Sequence, residues 1–228
     1  MKLLLVLMLA AAGWSQTAGV ALSSRLAKEM DLNADPNSAL WRGAPVVVAE
    51  RNTLDEPVPG HRTEIRSRWT PDHLYFLFIC KYEELHLKPE WTTKEETNLL
   101  WNWDVAEVFI GADFDNIWRY REYQVSPRGE WVDLDIDRKN PLPEGGWRWN
   151  SGFTVAARLD ETNKVWYGAM KVPVRSITEK PAAAGMEFRA NFYRLQGPGP
   201  QRKGIAWRPT MVRNYHTPEK FGLMRLVD

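Results

Sequence analysis

The 228-residue chain has a single cysteine, Cys80, so no disulfide can close within it and its stability has to come from packing. Neither sign of charge dominates: 30 Lys and Arg stand against 29 Asp and Glu, which leaves nothing to attract nucleic acid or an anionic membrane surface. Long apolar runs are missing too. The one present, residues 3–12 behind Lys2, is about half of the roughly twenty residues needed to cross a bilayer. With the small residues Gly13 and Ser15 after it, it reads as a secretory signal peptide over 1–16, which predicts a secreted or periplasmic protein. No cysteine follows this run to carry a lipid. His61, His73, His86 and His216 show neither i, i+4 spacing nor neighbouring cysteines, so no zinc site is expected. The sequence contains no G-x-S-x-G elbow, no phosphate loop, no dinucleotide fingerprint and no internal repeat.

Tryptophan is what the chain has in excess: twelve in all, eleven of them beyond the signal segment. An indole offers a large flat apolar face and one donor, which suits both a β core and stacking on the C–H face of a sugar. Most are expected in the core and the rest on a binding surface. After a lead segment over 17–30, read as helical or irregular, apolar and β-branched residues alternate in short runs bounded by Pro, Gly, Asn and Asp. Strands are expected over 63–69, 73–81, 105–112, 120–126, 131–137, 153–159, 164–172, 187–193 and 223–227. The first two form a hairpin around Thr70-Pro71-Asp72, and 73–81 is apolar on both faces, as a central strand is. Only 174–179 suggests a short helix. The pattern predicts one all-β domain over 31–228, an antiparallel β-sandwich or jelly-roll with little helix.

One segment is specific: Leu100-Trp101-Asn102-Trp103-Asp104-Val105-Ala106-Glu107-Val108-Phe109-Ile110. It is accompanied by Glu122-Tyr123-Gln124-Val125-Ser126-Pro127, Met170-Lys171-Val172-Pro173, Trp207-Arg208-Pro209 and His216-Thr217-Pro218-Glu219-Lys220-Phe221-Gly222, with an opening Asp31 to Trp41. In order and spacing these resemble the family 9 carbohydrate-binding modules over nearly the whole mature chain. The resemblance implies a DOMON-like β-sandwich that is not an enzyme. It would be a monomer gripping sugars, such as the termini of xylan or cellulose, between two aromatic rings and supporting glycan-degrading enzymes. The first ring falls on Trp101 and the second on Tyr215, where the best-known members carry the larger Trp. Glu107 matches the family's sugar-accepting carboxylate and Asp104 the acid three residues before it. The family's basic residue lands near Gln124, which is neutral. His216, beside Tyr215, is placed to hydrogen-bond ligand or to cap the loop. No cofactor is required. Structural calcium, which the family holds, would fall on Asp133, Asp135 and Asp137, although their spacing matches no dedicated calcium loop. Otherwise these form a solvated face opposite a core face of Val132, Leu134 and Ile136.

The same residues admit other chemistries. Trp101 lies in a polar loop, 94–102, where it either exposes apolar surface for a sugar to cover or folds back on the edge of the sandwich; Trp103 is expected in the core. Asp104 and Glu107 invite comparison with the paired carboxylates of a glycoside hydrolase. Their offset of three sends them to opposite faces of a strand, and one of them more naturally fixes a loop by accepting backbone N–H groups. A b-type haem held by Met and His, as in some members of the wider DOMON-like fold, is a third reading, but no pair is marked.

Overall fold

The computed structural model describes residues 19–228; the expected signal peptide, 1–16, lies outside the described residues. The described chain forms twelve strands and no α-helix. They are β1 Val20–Arg25, β2 Val46–Ala49, β3 Thr63–Trp69, β4 His73–Lys81, β5 Val105–Gly111 and β6 Arg119–Val125. There follow β7 Trp131–Asp137, β8 Thr154–Asp160, β9 Val165–Pro173, β10 Glu187–Gln196, β11 Lys203–Ala206 and β12 Gly222–Val227.

Period-two alternation explains these elements. In β4, Leu74, Phe76, Phe78 and Cys80 face one way while Tyr75 and Leu77 face the other, and all are fully buried. The first set joins the main core. The second is covered by the segment following β1, through Leu26, Ala34, Leu40 and Trp41. Burying each such side chain contributes about 1.5–3 kcal/mol.

Hydrogen bonding is continuous in the order β7-β6-β5-β10-β12-β1-β3-β4-β9-β8, with β11 added to β10 and β2 to β3. Only β1 pairs in parallel, with β12 on one side and β3 on the other. The sheet curls until its two halves face each other. Phe76 of β4 meets Phe192 of β10 at 5.8 Å between ring centroids, and the Arg194 guanidinium of β10 lies 5.7 Å from the Trp166 ring of β9. A Cβ on Gly168 of β9 would sit 2.7 Å from a methyl of Val125 in β6, so glycine there permits the close approach of the layers. The all-β, largely antiparallel architecture agrees with the sequence. The layers, however, are halves of one curled sheet.

Three local expectations need correction. The segment read as helical or irregular contains β1, whose partners are far away in sequence and so leave no hairpin signal. The helix over 174–179 is a single 3-10 turn, Val174–Ser176. The alternating acids of β7 are not a solvated face: Asp133 and Asp135 are buried. Asp133 accepts the Ser151 N–H at 2.9 Å and its hydroxyl, and Asp135 pairs with Arg121 and, at 3.1 Å, with Arg119. Asp137 caps the next turn, accepting N–H bonds from Lys139 at 2.9 Å and Asn140 at 2.8 Å. These carboxylates serve separate partners. Among the described residues no three His, Cys, Asp or Glu are grouped to hold a metal.

Candidate functional site

The outer face of β5, β6, β7 and β10 carries a second aromatic and aliphatic cluster and, within it, a cavity of about 330 Å³. Alternation again decides what it sees. Ala106, Val108 and Ile110 of β5 enter the main core, whereas Val105, Glu107 and Phe109 face outward. On β6 the same phase places Glu122 and Gln124 on the outer face. The register sets Glu107 opposite Gln124 on one side and Tyr193 on the other. The floor is therefore a buried polar triad, Glu107, Glu122 and Gln124, in an otherwise apolar setting. Gln124 Nε2 donates to Glu107 Oε1 at 3.0 Å and to Glu122 Oε1. Glu122 Oε2 and Gln124 Oε1 are buried without a partner.

Two aromatic residues stand at the walls. Trp101 sits in the 3-10 turn Leu100–Asn102, entered through Leu99 in a left-handed conformation, φ 63°. Arg202, about a hundred residues away in sequence, clamps this turn. Its guanidinium donates to the carbonyls of Trp101 at 2.7 Å, Asn102 at 3.1 Å, Gly197 at 3.0 Å and Trp103. Opposing it in the sequence motif, Tyr215 packs edge-on against Tyr193 at 5.2 Å, and its backbone carbonyl accepts the Tyr193 hydroxyl at 2.9 Å. Both Trp101 and Tyr215 are half-buried and line the cavity. His216 also lines it, with Nδ1 2.7 Å from the Tyr120 hydroxyl and its ring 5.1 Å from that of Phe109. Leu134 and Ile136 of β7 complete the floor, and Leu142 belongs to the segment that closes one side.

Burial governs the electrostatics. It pushes Glu107 well above the usual carboxylate range, the neighbouring Glu122 charge adds to the effect, and Arg202 opposes it. Burial pushes Glu122 up to about 8 against the Gln124 hydrogen bond. Two acids so placed retain a proton between them at neutral pH. Burial pulls His216 down to about 4, helped by Arg138, so the ring is neutral. Such a floor accepts hydrogen bonds from a ligand while the rings above offer apolar faces.

The structure thus brings together Trp101, Tyr215, Glu107 and His216 in the cavity lining, with Gln124 directly beneath. Asp104 lies outside the lining. It is buried and accepts N–H bonds from His86 at 2.9 Å, Gly197 at 2.6 Å and the Gln196 side chain at 2.6 Å, which ties three loops together. Trp103, expected in the core, is instead half-buried with its ring 4.5 Å from His86. Glu122, Leu142 and the Arg202 clamp were not singled out from sequence. Glu122 was within reach, because it lies two residues from Gln124 and must share its face.

Solved structures with the same fold include a protein of Bacteroides uniformis provisionally described as carbohydrate-binding. It has a TM-score of 0.72 and 13% identity, covering 92% of this chain and 100% of that one. A family 9 carbohydrate-binding module of Caldicellulosiruptor kristjanssonii, in complex with cellotriose, matches at a TM-score of 0.65 and 13% identity over 91% of this chain and 93% of that one. The same organism's module in complex with glucose matches at a TM-score of 0.65 and 13% identity over 91% and 95%. No curated protein sequence matches the chain. The model of the family described as carbohydrate family 9 binding domain-like matches residues 34–228, nearly the whole of the described sheet, and the chain belongs to that family.

Proposed function

We propose that this chain is a non-catalytic carbohydrate-binding module that holds a sugar in the cavity between Trp101 and Tyr215. The observation that carries the proposal is the acid-floored cavity flanked by these rings in a chain of this family. Glu107 and Glu122 accept sugar hydroxyls, Gln124 holds the two acids in place, and His216 shapes the wall as a neutral ring. Related modules in complex with cellotriose and glucose support a ligand drawn from the ends of plant-type polysaccharides such as cellulose or xylan. In this reading the chain is exported, acts as a monomer and serves beside glycan-degrading enzymes.

Calorimetric titration with glucose, cellotriose and xylo-oligosaccharides tests the reading. Stacking adds roughly 0.5–1.5 kcal/mol beyond area burial, and covering about 50 Å² of apolar ring adds on the order of 1 kcal/mol. Trp101→Ala and Tyr215→Ala are therefore each expected to weaken binding about 10- to 100-fold. Their effect on stability should be on the order of 1 kcal/mol, against about 3–5 kcal/mol for Phe109→Ala in the cluster beneath. Failure of every sugar to bind, or binding indifferent to both ring substitutions, would refute it.

A further inference from the structure

The floor of the cavity accepts far more hydrogen bonds than it donates. Glu107 and Glu122 bring four oxygens and Gln124 a fifth, while the triad's only fixed donors are the two amide hydrogens of Gln124, already directed at the acids. Glu122 is 3% exposed, lines the cavity and keeps Oε2 without a partner. No ion pair reaches either acid among the described residues; Arg202, the cation that acts on Glu107, directs its donors to backbone carbonyls. From β7, Asp135 is paired with Arg121 and Arg119, and Asp137 and Arg138, which both line the rim, carry opposite charges. Tyr193 and Tyr215, from β10 and the closing loop, keep their protons, and His216 is neutral. Beside the proton that the two acids share, the floor is opposed by Arg202 without a direct ion pair among the described residues.

A hydroxyl brings one donor and also an acceptor that this floor cannot use. An ammonium group brings three donors, no acceptor and a positive charge, and its hydrogen bonds to a carboxylate are roughly twice as strong as neutral ones. We propose that the cavity selects sugars carrying a free ammonium group, hexosamines, over their neutral counterparts, and excludes uronic acids. This rests on the reading of the cavity as a sugar site and narrows its ligand. When the ammonium docks, both acids ionise and the proton they held passes to the buffer.

The full-length chain is titrated calorimetrically at about pH 7, where glucosamine is largely protonated, with glucosamine, N-acetylglucosamine, glucose and glucuronate in two buffers of different ionisation enthalpy. Glucosamine is expected to bind at least about tenfold more tightly than glucose, with release of a proton. N-acetylglucosamine should lose that advantage and glucuronate should bind weakest. Glu122→Gln should bring glucosamine to within about threefold of glucose; should the variant not fold, proton release and the N-acetyl comparison on the unaltered protein decide alone. Glucose binding with glucosamine no tighter, or glucosamine binding tighter without proton release, overturns the inference and leaves the sugar site standing. Binding of none of the four overturns both.

Discussion

Glu107 and Glu122, the acids proposed to meet the ligand, oppose the fold. Burial raises both carboxyls, so folding favours their protonated forms. A raised folded-state value stabilises fully below the unfolded value, about 4.3, and that contribution is lost as pH rises toward the folded one. For Glu122 the window runs from there to about 8. Glu122→Gln keeps the shape and removes the charge, and is expected to stabilise the protein by about 1–2 kcal/mol at neutral pH while changing little near pH 4. Denaturant unfolding at the two pH values measures it; an equal difference at both would show that charge burial is not the cause. At this scale the sequence was partly legible. The motif pointed to Trp101, Glu107 and Tyr215, and the three-residue offset already separated Asp104 from the face of Glu107. Arg202 could not be found that way, since its relation to Trp101 spans about a hundred residues and depends on tertiary structure.

Among the elements, strands whose neighbours in sequence are also their neighbours in space could be read best. β3, β4 and β7 have the ends that alternation predicts, helped for the first two by the Thr70-Pro71-Asp72 turn. β2 and β11 were missed because four residues are too few to show a period. β11 matters to the site all the same. Gly204 lies under the tip of Tyr215, and a Cβ there would sit 1.8 Å from its hydroxyl oxygen. Because the Tyr215 ring is also packed on Tyr193, it cannot yield without shifting as a whole. Gly204→Ala is expected to displace the ring and weaken sugar binding about tenfold while lowering stability by no more than about 1 kcal/mol. Unaltered affinity in a calorimetric titration would mean that Tyr215 does not need this position.

The molecule as a whole relies on packing alone for its stability. Cys80 is fully buried, and burial pushes its thiol up to about 12 against the opposing influence of Arg194 and Thr63. It is therefore expected to resist thiol reagents in the native state and to react only on global unfolding, and reductant should leave the melting temperature unchanged. Labelling kinetics followed across a denaturant series check this; rapid modification of the native protein would place the residue elsewhere. The architecture was legible as all-β because alternation is local, whereas the closure of the sheet was not, because it depends on β1.

That strand has a mechanical consequence. β1 and β12 hold the two ends of the described chain side by side and parallel, with Val20 opposite Leu223 and Ser24 opposite Val227. Tension applied through the first residue of β1 and the last of β12 pulls along the strands in opposite directions. Every hydrogen bond of that ladder is then loaded together in shear, and none can be peeled open singly. Pulled through these two points, the described chain would yield last at the seam where β1 meets β12.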